Sequence, residues 1–267
     1  MTSAPERYYL DTTAHLERWA GEPAVRAELS RLLSDRQHAT STHVNREWKR
    51  IVDGGCATIL NTLRDAGGDL QILSARLRSG FGRTPAQSAL VLDLVTKGQP
   101  VDTTVDIRAR QFLRVLSRKM FETQIDEVRD SSECGLARNE VFRDRTGKHV
   151  LVDRCKKTDA ICRQDQFLEE RRPDADKAAA ALAGAARRPA DKNMGKLMAS
   201  MIAKPPDRKG KNCYAHTGDI SIALECSSDE VLLTSDQSFD TICPALRRRH
   251  HRFASTRPPS TASASTP

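Results

Sequence analysis

Aromatic residues are scarce in this 267-residue chain: Phe, Trp and Tyr together make up 4%. Any core built from it must therefore be mostly aliphatic. The hydrophobic fraction is also low, 38% against 29% charged residues, so solvated segments should interrupt the packed ones. No stretch reaches the length of apolar run that a transmembrane helix needs, and no membrane partner is expected. The opening residues, Met-Thr-Ser-Ala-Pro-Glu-Arg, hold no apolar run of signal-peptide type. Seven cysteines, an odd set without a secretion signal, argue for reduced thiols and a cytoplasmic setting rather than a disulfide framework. What the chain has in excess is positive charge, +8 in formal terms, which favours an anionic partner such as nucleic acid.

The first segment reads as strand, helix, helix, strand, helix. Arg7-Tyr8-Tyr9-Leu10 is a short strand, and Asp11 and Thr12 after it suit a helix cap. Helices are predicted over 13–20 and 24–34. A third starts at Thr42, with Val44, Trp48, Ile51 and Val52 as its apolar positions, and should end at the Gly54-Gly55 pair. In the middle, 84–97 and 101–128 read as helices. The second shows a 3.6-residue period through Val105, Ala109, Phe112, Leu113, Leu116 and Met120. On another face Arg110, Arg114 and Arg118 recur every four residues. A hairpin is predicted around 140–152, then alanine-rich and Met-containing helices over 173–188 and 190–203. Near the C-terminus, 219–226 reads as a short helix, and Val231–Thr234 as a strand buried on both faces. The last stretch is nearly all Ser, Thr, Ala and Pro, a composition expected to stay disordered.

Two aspartates stand out by position. Asp11 directly follows the first strand, and Asp236 follows the 231–234 strand with one residue between. In an open parallel sheet the carboxyl ends of the strands share one edge, where ligands bind. Asp219, at the expected helix start, and Glu47, beside the apolar stripe of its helix, could face the same edge. Each acid alone is explained as well by a helix cap or a solvated flank. Together they are harder to explain, because two carboxylates about 4 Å apart repel by about 4 kcal/mol at an effective dielectric near 20. Such a cluster calls for a hard, oxygen-seeking cation, Mg²⁺ or Mn²⁺.

Four stretches carry a family resemblance: Tyr8-Tyr9-Leu10-Asp11-Thr12, Ser41-Thr42-His43-Val44-Asn45-Arg46-Glu47, Gly218-Asp219-Ile220-Ser221-Ile222-Ala223, and Leu232-Leu233-Thr234-Ser235-Asp236-Gln237-Ser238-Phe239. They resemble, in order, the four acidic motifs of PIN-domain nucleases. The resemblance implies an α/β, Rossmann-like PIN-type parallel sheet with covering helices. It also implies metal-dependent phosphodiester hydrolysis, mostly of RNA. By that resemblance Asp11, Glu47, Asp219 and Asp236 are the catalytic and metal-binding acids, Thr234 supports the last of them, and Asp240 is an outer acid. Glu47 and Asp219 lie well over half the chain apart, which implies a large insertion. The expected domains are then 1–60 and 211–250 as the two parts of a PIN-like domain, 61–210 as a mainly helical insertion with the hairpin, and 251–267 as a disordered tail.

A metal-assisted hydrolase needs no catalytic histidine, so His15, His43 and His216 read as surface residues or substrate contacts. Cys134, Cys155, Cys162 and Cys213 could be gathered by the hairpin into a Zn²⁺ site, although they lack short paired knuckles. Buried free thiols explain them too. The Arg110/Arg114/Arg118 stripe could follow a phosphate backbone or be a solvated helix face. The leading reading is a Mg²⁺/Mn²⁺-dependent endoribonuclease. A second is a non-catalytic nucleic-acid-binding or interaction module on the same fold, and a third is a structure-selective DNA nuclease.

Overall fold

The computed structural model describes residues 6–78, 85–96, 101–132, 140–152, 163–185 and 210–255. In chain order its first elements are β1 (Arg7–Leu10), α1 (Thr12–Ala20), α2 (Pro23–Leu33), β2 (Gln37–Ser41) and α3 (Thr42–Asp65). There follow α4 (Leu70–Arg78), α5 (Pro85–Thr96), α6 (Val101–Gln111), a π-helical turn (Phe112–Leu116), α7 (Ser117–Glu122) and β3 (Glu127–Arg129). The remainder comprises β4 (Glu140–Arg143), β5 (His149–Val152), α8 (Arg163–Glu170), α9 (Arg172–Ala185), α10 (Gly210–Glu225), β6 (Glu230–Thr234), α11 (Phe239–Ala245) and β7 (Arg249–Arg252). No helix among the described residues is long and apolar enough to cross a membrane.

Five strands pair in parallel in the order β3-β2-β1-β6-β7. The period-two pattern of β1 explains why helices cover both faces. Tyr8 and Leu10 point into one core with Val25 and Leu29 of α2 and Leu233 of β6. Tyr9 points into the other with Ala39, Leu232 and Trp48. This is an α/β fold compatible with the Rossmann-like class. The chain leaves β1 to one side for β2, while β6 lies on the other side. The carboxyl ends of β1 and β6 therefore flank a crevice at the point where strand order reverses. Helices start there because polar side chains cap them. Asp11 accepts from the Ala14 N–H at 2.8 Å, and Ser41 accepts from the Val44 N–H at 3.3 Å.

Several elements depart from the sequence expectation. The third helix does not stop at Gly54-Gly55: α3 continues to Asp65, with both glycines buried. A Cβ on Gly55 would stand 2.7 Å from the Val91 Cβ of α5, so the glycine serves close helix packing rather than termination. The expected helix over 101–128 ends at Glu122. Arg18 caps its end by donating to the Met120 and Thr123 carbonyls at 2.8 and 2.6 Å. Gln124 then turns the chain at φ +60°, so residues 127–129 can join β2 as β3. The stretch 61–210 therefore contributes a strand to the central sheet. Residues 140–152 form an antiparallel hairpin outside that sheet. Asp219 lies well inside α10, not at a helix start. Of the expected tail, 251 and 252 belong to β7, and Phe253 is buried with its N–H on the Thr234 carbonyl at 3.0 Å. The helix predicted over 190–203 and residues 256–267 lie outside the described residues.

The π turn has a visible packing consequence. Val105, Ala109 and Phe112 are buried as the 3.6-residue period requires, but the next buried positions are Ser117 and Phe121, not Leu116 and Met120. The wider turn advances the buried face by one residue. That brings Ser117 inward, where its carbonyl and hydroxyl accept from the Trp48 indole N–H at 3.0 and 3.1 Å.

The Ser117 hydroxyl also steadies the buried carboxyl of Asp53, although burial outweighs that help and the nearby Lys49, and raises Asp53 from 3.8 to about 6. A raised carboxyl binds protons in the folded state that the unfolded chain has released. Stability is therefore full below about pH 4 and falls as pH climbs to about 6, then stays flat. Asp53→Asn should match the parent below that window and be more stable above it, by up to about 3 kcal/mol at pH 7. Denaturant melts across the pH range check this. Phe253→Ala should cost about 3–5 kcal/mol in the same melts, since it empties a closed apolar site.

Candidate functional site

The expected acids meet at the carboxyl edge of β1 and β6. Leu10 pairs with Leu233, which sets the residues just beyond the two strands side by side. The Thr234 hydroxyl donates to Asp11 Oδ2 at 2.6 Å and accepts from the Asp236 N–H at 2.9 Å. Asp236 Oδ1 in turn accepts from the Ser238 N–H at 2.8 Å, and the Ser238 hydroxyl donates to Asp219 Oδ2 at 2.8 Å. Next to Asp219, a Cβ on Gly218 would lie 3.0 Å from both Glu47 Oε1 and His43 Nε2. The other Glu47 oxygen accepts from the Thr12 hydroxyl at 2.5 Å, and Thr12 adjoins Asp11. Hydrogen bonds thus join Asp11, Asp236 and Asp219 through Thr234 and Ser238, and Glu47 is held beside them by Thr12.

Electrostatics separate the four. Burial raises Asp11 to about 7, against hydrogen bonds from Thr234, Ala14 and Thr13 that work the other way. Asp219 is driven well above the ordinary carboxylate range by burial and then by the charges of Asp236, Glu47 and Asp11. Burial also pushes Glu47 upward, but His43, Thr12 and Arg50 outweigh it and hold its carboxyl below the ordinary value. Glu47 thus favours its charged form and Asp219 its neutral one, and the neutral form lessens the repulsion in the metal-free chain. A cation would relieve it equally well.

No protein-family model, curated protein or solved structure matches this chain. The donor set must be judged on its own chemistry. Carboxylate and hydroxyl oxygens are the ligands that Mg²⁺ and Mn²⁺ select, and Mg²⁺ commonly takes only one or two protein carboxylates with water completing its shell. Among the described residues, no three His, Cys, Asp or Glu side chains stand close enough to hold a metal ion by themselves. The donor types suit such a cation, but the cluster is not a preformed metal cage.

Other expected residues lie elsewhere. Asp240 is taken up by β7: its carboxylate pairs with Arg252 and His250, each at 2.9 Å, so it is a partner of the edge strand and not an outer acid of the cluster. His15 is not a surface residue. It is buried, stacks on Phe121 at 4.3 Å, and sits within hydrogen-bonding distance of the Thr40 hydroxyl at 3.2 Å. His43 is buried too, 3.7 Å from Glu47. Cys134, Cys155 and Cys162 fall outside the described residues, as do the side chains of Cys213 and His216, so the Zn²⁺ expectation lies there as well. Cys56, Cys226 and Cys243 are free and buried. The arginine row is broken by the π turn. Arg110 pairs with Asp106 at 3.0 Å, Arg118 with Glu122 at 2.8 Å, and Arg114 is exposed.

The residues not anticipated are Thr12, Thr13, Gly218 and Ser238. Their only sequence signal is adjacency, a hydroxyl or glycine within two positions of Asp11, Asp219 or Asp236. Thr13 completes the strand-end lock by accepting from the Ser235 N–H at 2.8 Å.

Thr234→Val should destabilise the protein by about 1–3 kcal/mol, because it strips a donor from Asp11 and an acceptor from the Asp236 N–H in a buried place. Asp219→Asn should act the other way without metal, raising the melting temperature by about 2–4 °C, the equivalent of 1 kcal/mol in a chain of this size. Calorimetry in the presence of a chelator measures both.

Proposed function

We propose that this chain is a PIN-type, divalent-metal-dependent endonuclease that cleaves RNA. The hydrogen-bonded run of Asp11, Asp236 and Asp219 at the strand-order switch, with Glu47 beside it, supports this reading more than any other observation. Four carboxylates brought to one edge by three separate parts of the chain have no structural task that one cap would not perform. The choice of RNA rests on the resemblance of the four motifs, and the excess of positive charge suits either nucleic acid.

Asp11 and Asp236 are the residues to hold a Mg²⁺ or Mn²⁺ ion, with Asp219 and Glu47 completing its surroundings. A bound divalent cation would supply charge neutralisation at the scissile phosphate and a more acidic water. The protein's part is positional. Thr234 fixes Asp11 relative to the Asp236 backbone, and Ser238 fixes Asp219. Thr12 and His43 keep Glu47 ionised and aimed across Gly218. In this reading the attacking group is water, as metal-assisted hydrolysis requires, and the hydroxyls of Thr12, Thr234 and Ser238 serve to hold the carboxylates.

Asp11→Asn and Asp236→Asn should each lower the cleavage rate at least about a hundredfold, in line with losing a preorganised electrostatic group, and leave the fold intact by circular dichroism. The assay is hydrolysis of labelled RNA and DNA strands with Mg²⁺ or Mn²⁺, and with chelator. Full activity in either variant would end the catalytic reading. One observation favours a second reading, a nucleic-acid-binding module without catalysis: no three candidate ligands converge among the described residues. Strand binding without metal-stimulated cleavage by the parent protein would establish it.

A further inference from the structure

At the far end of α3 from Glu47, a cavity of about 450 Å³ opens between that helix, the Gly67-Gly68 turn, α6 and the β4–β5 hairpin. Its volume is in the range of small-molecule sites. The floor is apolar, with Leu60, Leu63 and Val105 buried. The rim is cationic: Arg64, Arg110 and Arg143 surround His149, and Asp106 is the one acid among the described lining residues. Asp106 engages Nε of Arg110, and His149 Nε2 accepts from Nε of Arg143 at 3.3 Å. The terminal guanidinium nitrogens of Arg110 and Arg143 have no partner among the described residues. Burial, then Arg143 and Arg110, lower the pKa of His149, so the imidazole stays neutral inside a positive field.

Arg64 is engaged by Asp65 and the Thr146 carbonyl, and Arg110 Nε by Asp106, which leaves the terminal nitrogens of Arg110 and Arg143 as the planar donors that match phosphate oxygens in pairs. Inorganic phosphate would leave the apolar floor uncovered, and a purely apolar ligand would leave the arginines unmatched. We infer that this cavity binds a phosphorylated nucleoside, its phosphate on Arg110 and Arg143 and its base or sugar against Leu60 and Val105. The site stands about 20–25 Å along α3 from Glu47, at 1.5 Å per residue. It does not depend on the acid cluster being catalytic. The same chemistry could arrive as a free nucleotide or as a nucleotide within a strand.

The test is calorimetric titration of the full chain, under chelator so that nothing is cleaved, with 5′-AMP, adenosine, inorganic phosphate and a short 5′-phosphorylated oligoadenylate. The expected result is saturable 5′-AMP binding, with adenosine and phosphate each weaker by about tenfold or more. Arg143→Gln and Arg110→Gln should each weaken 5′-AMP by a similar factor, and Asp236→Asn should leave it unchanged. Tighter binding of the oligonucleotide than of 5′-AMP identifies a strand as the source. Equal or weaker binding identifies the free nucleotide. Arg143 is exposed, so its variant carries the test if Arg110→Gln does not fold. The inference is overturned if 5′-AMP does not bind at millimolar concentration, or if adenosine binds as tightly. It is also overturned if affinity is lost in Asp236→Asn, or if it survives in Arg143→Gln.

Discussion

The Thr234 hydroxyl is the joint on which the candidate site turns. A hydroxyl offers one donor and two acceptor lone pairs. Here the donor goes to Asp11 and an acceptor position to the Asp236 N–H. The second bond is local to the end of β6, but the first exists only because β1 and β6 are parallel neighbours in one register, Leu10 opposite Leu233. A slip of one residue would turn Tyr9 and Leu232 toward the opposite core and carry Thr234 away from Asp11. The same residue anchors the edge of the sheet, since its carbonyl receives the Phe253 N–H. Core packing thus fixes the register, and the register fixes the distance between the first and last acids.

Two glycines set how closely α3 is approached. Gly55 lets α5 bring Val91 onto the helix midway along its length, and Gly218 lets α10 pass Glu47 and His43 near the start. A side chain at either place would separate the helices by the width of a methyl group. Such a shift would be felt throughout, because close-packed interiors have few voids to absorb it. The π turn works to the same end from another side. By advancing Ser117 into the core it gives Trp48, deep in the interior on α3, a partner for its indole N–H. Trp48 adjoins Glu47, so the packing that holds the indole also holds the first turns of α3 against the sheet.

What could be read from the sequence was what is encoded locally. Tyr8-Tyr9-Leu10 followed by Asp11, and Val231–Thr234 followed by Asp236, are strands and strand-end acids within a few residues of each other. Alternation and capping chemistry suffice to place them. Glu47 beside its apolar stripe and Asp219 near the second strand could be expected at the same edge, although Asp219 lies inside its helix rather than at the start. What escaped was set by contacts between distant residues. Gly54-Gly55 looks like a helix stop until Val91, far along the chain, is packed against it. The helix over 101–128 looks continuous until Arg18 caps it at Met120 and Thr123. Asp240 looks like a member of the acid cluster, yet Arg252 and His250 claim it. His15 and His43 look exposed because polarity alone does not report a stacking Phe121 or a neighbouring Glu47.

The charge of the chain and the charge of the site have separate causes. The +8 total suggests a basic molecule, yet the cationic cavity of Arg64, Arg110 and Arg143 lies roughly 20 Å or more along α3 from the carboxylates. That is more than twice the screening length of about 8 Å at physiological ionic strength. A second basic group, Arg7 and Arg129, is consumed at the opposite edge of the sheet by Glu127 and Glu230. Neither can relieve the repulsion among Asp11, Asp219 and Asp236. Relief has to be local, and the structure supplies it in three forms. Hydroxyls of Thr234, Thr13 and Ser238 donate to the carboxylates. The amino ends of α1 and α3 present partial positive charge at the same edge. Burial and the neighbouring charges favour the neutral form of Asp219, which lessens the negative charge. These offsets together accommodate the carboxylates within the metal-free fold, each acting at the cluster itself because no distant charge can reach it.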